Sequence, residues 1–269
     1  MKIAIVGGGI GGLVTAFLAV DAGHEVTLLE KDRIGSGASG KALGVLVPVT
    51  GLDRPIDRLQ RAGIAAWPGL AARLSDITGI EVDDFWREWP EHRQQVRLPM
   101  VFDVLKMAIE TRRGVVKEGF EVESPSLLKN DFDKVVLAGG LGNTDLCNAP
   151  MKVSAGVACR LKGKLDTLIA GDNLFICPDW DGTIVAGSVN WEMAEAGDGH
   201  VPPEKLAELL VRIEKLVPGL ELVDSWIGYR PVEVPRLPLV RKLDNGMLAV
   251  VGLGKIGIGL SPMIWEHCL

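Results

Sequence analysis

The chain has a single tyrosine, Tyr229, four histidines in 269 residues, and only 5% aromatic residues. Side chains for general acid–base chemistry are therefore scarce, and no histidine or carboxylate pair stands out as a catalytic couple. Its four cysteines, Cys147, Cys159, Cys177 and Cys268, show no CxxC and no Cys/His ligand spacing. That argues against a zinc-type site, a metal of any kind and a disulfide framework, and it points to a reducing compartment; the thiols are either buried small residues or surface groups. An excess of Lys and Arg is missing too, 29 against 35 Asp and Glu. The net charge of −6 argues against a nucleic-acid partner, although a local basic patch would not register in the total. Internal repeats and low-complexity linkers are absent. One uncharged run, "IAIVGGGIGGLVTAFLAV" after Lys2, has the length of a short membrane span, but its glycines make a poor helix. With no secretory or membrane element visible, the cytoplasm is the expected location.

What is present is an ordinary globular composition, 47% apolar and 24% charged, in a chain long enough for one large or two small domains. "MKIAIVGGGIGGLVTAFLAVDAGHEVTLLEKD" reads as strand, tight turn, helix, strand. Ile3 to Val6 suits a strand buried on both faces. Gly7, Gly9 and Gly12 then fall in GxGxxG spacing, with Ile10 and Gly11 between them. The first glycine permits the turn, the second lets backbone approach a pyrophosphate, and the third lets the helix pack closely. The pyrophosphate would rest on the N–H groups at the helix start. Ala22-Gly23-His24 ends the helix, and Val26 to Leu29 forms the second strand. Glu30, followed by Lys31, closes it. A carboxylate there accepts hydrogen bonds from both ribose hydroxyls and repels a 2′-phosphate, favouring FAD or NAD over NADP.

A second run, "VVGLGKIGIGL" from Val250 to Leu260, repeats the glycine spacing at Gly252, Gly254 and Gly257. Twelve residues follow Gly257, too few for another strand–helix–strand unit, so these glycines need a different use. Elsewhere, Leu59 to Ile77 reads as a helix, and Trp86 and Trp89 as packing aromatics. Phe102 to Gly114 reads as an amphipathic helix with Asp103 as its cap. Val115 and Val116 form a candidate strand, followed by a rudimentary hairpin before Lys134. Strands are expected over Val135–Ala138, Val153–Leu161, Asn173–Pro178 and Gly182–Val189, with "DWDG" as a hairpin turn. A helix begins near Pro203 and ends before Pro218.

"RIGSGASGKALGVLVP", Arg33 to Pro48, is either a flexible Gly/Ser loop or a loop whose small residues bring backbone close to a large ligand. With this loop, "DKVVLAGGLGNTDL", "SWIGYRPVEVPRLPLV" and "GLGKIGIGLSP", the sequence resembles the D-amino-acid oxidase superfamily of FAD-dependent enzymes, which includes glycine oxidase and sarcosine oxidase. The blocks stand in the family's order and span most of the chain. The resemblance implies an α/β fold in which a Rossmann-type FAD-binding domain (residues 1–50, 103–148 and 227–269) is interleaved with a smaller antiparallel-sheet (α+β) substrate domain (51–102 and 149–226). It implies FAD contacts from Ser36, Ala38, Ser39, Ala42 and Gly44, from Val116 near the adenine, and from Ala138 and Gly139. Gly254, Lys255, Ile256, Gly257, Ile258 and Gly259 match the flavin-contacting segment. A strand from Met247 to Val251 would deliver that segment, and Ser261-Pro262 would cap a terminal helix aimed at the flavin pyrimidine edge. No cysteine matches the covalent attachment point of some members, so FAD is expected to be bound without a covalent link.

Arg230 matches the family arginine that binds the substrate carboxylate; the alternative is a structural arginine paired with Glu233. Lys255 is either a second carboxylate anchor or a solvated side chain. Tyr229, beside Arg230, is expected to point elsewhere. The sequence departs from the family at Leu253, where a histidine is common, at Val232 to Pro235, where the family's Asp is replaced, and in a shortened substrate domain and final helix. By resemblance, the enzyme oxidises the C–N bond of an amino acid or N-substituted glycine by hydride transfer to flavin N5, with dioxygen or a carrier as electron acceptor. The alternatives are a tRNA wobble-uridine carboxymethylaminomethyl-processing oxidoreductase of the same superfamily and a non-catalytic FAD-binding protein.

Overall fold

A computed structural model of the protein describes residues 1–147, 151–232, 239–250 and 252–269. The apolar run after Met1 forms β1 (Lys2–Val6), buried from Ile3 onward. Ile3 and Ile5 enter one core and Ala4 and Val6 another, which is what a continuous apolar strand inside a parallel sheet requires. β2 (Glu25–Leu29) and β7 (Lys134–Leu137) flank β1 in parallel. β6 (Val115–Lys117) lies outside β2, while β14 (Leu248–Val250) runs parallel beside β7 with β13 (Val240–Lys242) antiparallel at the edge. The order β13-β14-β7-β1-β2-β6 sets the carboxyl ends of β1, β7 and β14 side by side. Both glycine-rich turns therefore leave the same edge of one sheet, where α/β proteins bind ligands.

Three helices cover the Ile3–Ile5 face: α1 (Ile10–Asp21), α2 (Pro55–Thr78) and α3 (Leu98–Thr111). α2 starts a turn before the sequence pattern suggests. Pro55 occupies the first turn, and Asp57 Oδ2 accepts from Arg54 N at 3.0 Å. α3 likewise begins at Leu98, with a proline in its first turn, so Asp103 lies inside the helix and is not its cap. α2 also meets the C-terminal helix α6 (Gly257–Leu260). A Cβ at Gly63 would lie 2.0 Å from Gly259 O, and the fully buried Trp67 donates its Nε1–H to Ile258 O at 2.9 Å. On the other face, α4 (Asn143–Cys147) follows β7.

The antiparallel sheet has the order β12 (Glu221–Val232), β8 (Lys152–Lys162), β11 (Ile184–Met193), β10 (Leu174–Pro178) and β9 (Ile169–Gly171). Its strand alternation separates two surfaces. Val157, Cys159 and Leu161 pack with Ile176, Ala186 and the buried Leu209 and Ile213 of α5 (Pro203–Leu216). Gly156 and Ala158, of opposite parity, face the parallel-sheet body. A small sheet of β3 (Val45–Leu46), β5 (Arg93–Val96) and β4 (Trp86–Trp89) joins the two. Arg87 anchors it: Nη2 donates to Pro178 O at 2.5 Å, and the guanidinium lies 4.8 Å and 4.0 Å from the Trp89 and Trp180 ring centres. The expected hairpin after Val116 does not form. Gly119 N and Phe120 N donate to Asp32 O and Glu30 O, drawing this segment along the end of β2, and Pro125–Asn130 then makes a 3-10 turn. Among the described residues no helix is long and apolar enough to cross a membrane.

Cys159, Cys177 and Cys268 are buried, and burial pushes each thiol up to about 12. The thiolate is the reactive form, so none of these three is expected to be alkylated by iodoacetamide at pH 8 before denaturation, as peptide mapping would read. Gly63→Ala forces apart the backbones of α2 and α6. Its expected effect is a loss of about 1–3 kcal/mol, typical of overpacking, measured as a lower Tm. An unchanged Tm would mean that the two backbones are not in contact.

Candidate functional site

A cleft of about 1080 Å³ runs along the carboxyl edge of the parallel sheet and under the open face of the antiparallel sheet. Gly7, Gly9, Ile10 and Gly11 line one stretch of it, and Gly252 to Gly259 another. Gly7 turns the chain at φ 115°, where a Cβ would lie 2.5 Å from Ala138 O. Gly12 sits behind the lining: its Cβ would lie 2.0 Å from Gly7 O, so it serves the close packing of α1 on the turn. Glu30, 8% exposed, holds this turn from the side. Its Oε2 accepts from Gly8 N at 2.5 Å and its Oε1 from Asp32 N at 2.9 Å. Lys31 lines the same end, together with Phe120 to Glu123. Val116 does not reach the cleft; it packs half-buried against the helical core. Phe120 to Glu123 occupy the wall expected of it, through the backbone bonds to the end of β2.

The small-residue loop after Glu30 forms the next wall. Ser36, Ala38, Ser39, Ala42 and Gly44 all line the cleft. Ser39 Oγ accepts from Ile10 N at 3.0 Å, tying the loop to the start of α1, and Gly35 N donates to Gly8 O at 3.0 Å. Ala138 and Gly139 continue the floor. Behind them is a residue that the sequence did not single out, the fully buried Asn143. Its Oδ1 accepts from Gly139 N at 2.8 Å, and its Nδ2 donates to Leu137 O at 3.1 Å and Val250 O at 2.8 Å, fastening the ends of β7 and β14 together.

Gly254, Lys255, Ile256, Gly257, Ile258 and Gly259 all line the cleft. Their helical turn begins at Gly254 and passes into α6, so the terminal helix does not start at Ser261. Ser261 is fully buried and outside the cleft lining: it ends α6 and opens a 3-10 turn (Ser261–Met263) with Pro262 in it, and its Oγ donates back to Ile258 O at 2.8 Å and so caps no N-terminus. Lys255 Nζ donates to Asn173 Oδ1 at 2.7 Å, linking the C-terminal turn to the antiparallel sheet.

That sheet supplies the remaining wall: Gly156, Ala158, Phe175, Ser188, Asn190 and Arg230. Arg230 donates through Nη2 to Asn190 Oδ1, its one hydrogen-bond partner among the described residues. Burial pulls the Arg230 pKa below its ordinary value. Glu233, the alternative partner, and the departures at Val234 and Pro235 lie outside the described residues. Alternation along β12 turns the Tyr229 side chain to the face opposite Arg230, as expected, where its hydroxyl accepts from Gly199 N at 3.3 Å; Tyr229 and Gly199 are nonetheless both among the residues lining the cleft.

The cleft is larger than most single-ligand pockets. Three strand ends floor it, the start of a helix opens onto it, and a buried carboxylate stands one strand away. These features fit an extended dinucleotide: Gly9–Gly11 could hold its phosphates, Glu30 a ribose, and Gly254–Gly259 the far ring system.

Comparison with known proteins agrees. The chain matches the FAD dependent oxidoreductase family over residues 2–90 and 99–266. It is 37% identical to the glycine oxidase of Geobacillus kaustophilus, an alignment covering 97% of this chain and 90% of that protein. It is 25% identical to the tRNA 5-methylaminomethyl-2-thiouridine biosynthesis bifunctional protein MnmC of Maricaulis maris, across 98% of this chain but 50% of that protein. Its fold superposes on the crystal structure of glycine oxidase from Bacillus cereus with a TM-score of 0.83, at 22% identity and with coverage of 99% and 93% of the two chains. With these matches running nearly end to end and a cleft of the right form to receive the cofactor, the chain belongs to the family of FAD dependent oxidoreductases.

Proposed function

We propose that the protein oxidises the C–N bond of a small amino acid or N-substituted glycine, holding the substrate carboxylate on Arg230. The observation that carries this reading is the position of Arg230: a cation on the substrate-sheet wall, partnered by a neutral amide, on the strand whose end bridges to Leu253 beside the glycine-rich C-terminal turn. A guanidinium offers a planar fork to a carboxylate, and such a charge-assisted pair contributes about 1.5–3 kcal/mol. Fixing the carboxylate also fixes the direction from which the α-carbon approaches, which is catalysis by orientation. The likeness to glycine oxidases supports a small amino-acid substrate.

Bound without a covalent link, FAD supplies the two-electron acceptor for the oxidation. The chain's own residues bind and orient. Glu30 receives the ribose hydroxyls, the Gly9–Gly11 turn receives the phosphates, Ala158 keeps the sheet face low for substrate, and Gly156 leaves room for the Arg230 guanidinium. No histidine is among the described residues lining the cleft, and the substrate amine is taken in its neutral form. Lys255 stands as a second cation lining the cleft, held by Asn173.

Arg230→Ala is expected to retain FAD while KM for the amino acid rises about 10- to 100-fold with a smaller change in kcat. Steady-state kinetics beside the flavin spectrum measure both, and unchanged kinetics would remove Arg230 from the site. Glu30→Ala removes the ribose acceptor and the brace on Gly8 N. FAD affinity should fall about 10-fold or more in a fluorescence titration of apoprotein, and undiminished affinity would place the adenosine elsewhere.

A further inference from the structure

Arg230 reaches its position by crossing a neighbouring strand. It lies on β12 opposite Ser154 of β8, whereas Asn190 lies on β11 opposite Gly156 of that same strand. The guanidinium spans the gap directly over Gly156. A Cβ there would lie 1.8 Å from Arg230 Nη2 and 2.6 Å from Asn190 Oδ1. Gly156 has no left-handed φ, so the position demands space and not an unusual backbone.

Asn190 is itself held. Ser188 Oγ donates to Asn190 Oδ1 at 2.9 Å, and Asn190 Nδ2 donates to Ser188 O at 3.3 Å, which turns the amide oxygen toward Arg230. A guanidinium carries five N–H donors, so the bond to Asn190 fixes its plane and leaves donors for a ligand. The amide brings no charge. A carboxylate in its place would hold the arginine equally well but would cancel the charge that an incoming anion must meet.

Taking Arg230 as the carboxylate site, we propose that Asn190, seated by Ser188 and given room by Gly156, is the positioning residue that aims the guanidinium at the substrate carboxylate without neutralising it. Specificity for an anionic head group thus depends on three strands of the antiparallel sheet being in register.

The test uses the FAD-loaded enzyme and acetate as a bare carboxylate, titrated while the absorbance of the bound flavin is followed, with KM and kcat for an amino-acid substrate measured alongside. Asn190→Ala should raise the acetate Kd and the KM about 10-fold, or about 1.4 kcal/mol, with kcat changed less. Asn190→Asp should raise them about 100-fold. Both variants lose the bond to Ser188 O, but Asn190→Asp keeps the oxygen that accepts from Arg230, so weaker binding in it than in Asn190→Ala reports the added charge. A merely structural role would reverse that order, because Asp fills the volume better than Ala. Gly156→Ala leaves Asn190 intact and should also raise the Kd about 10-fold or more, so the proposal remains testable if an Asn190 variant fails to fold. Should Arg230→Ala abolish the acetate response while Asn190→Asp binds as wild type or better than Asn190→Ala, the positioning role is wrong and the carboxylate reading stands. Should wild type give no response, or Arg230→Ala respond as wild type does, the carboxylate reading itself fails and the proposal falls with it.

Discussion

The structure depends on one pairing, β14 alongside β7 alongside β1. Hydrogen bonds between parallel backbones carry the C-terminal strand to within one strand of the N-terminal one, although the two are separated by almost the whole sequence. Two turns that share a glycine spacing thereby share a sheet edge. Asn143 reinforces the arrangement from inside by bonding to both Leu137 O and Val250 O, so the floor of the cleft is fastened by a side chain that the cofactor need not touch. A buried amide with every partner satisfied is a rigid element, and removing it would leave several backbone groups unpaired at once.

Parts of this were legible in the sequence because the constraint is local. Gly7, Gly9 and Gly12 each answer to a steric demand within a few residues or at the neighbouring strand end, and Glu30 follows from strand length. The loop from Ser36 to Gly44 and the segment from Gly254 to Gly259 stand out through an excess of small residues. The second glycine run lies at the carboxyl end of β14, where small residues suit close backbone approach.

The remainder was set by tertiary context. Asn190 and Gly156 are brought together by β-sheet register, and nothing in "GSVNW" or "SAGVA" advertises it. Tyr229 and Arg230 are sequence neighbours on opposite faces of the edge strand β12, yet both are among the residues lining the cleft. Ser261-Pro262 satisfies a local helix-start rule, but the contact of α2 with Gly259 and Ile258 begins the helical turn earlier. The early start of α3 was obscured by reading Asp103 as a cap, where the proline in the first turn was the better signal.

β8 illustrates how closely scaffold and chemistry are joined. Its odd-numbered residues, Val157, Cys159 and Leu161, are oily and face α5, while Gly156 and Ala158 are kept small for what lies on the other side. A slip of a single residue along this strand would exchange the two sets, setting bulk into the ligand space and vacancies beneath the helix. The strand thus tolerates only like-for-like replacement, and a change of length has room only in the loops that flank it.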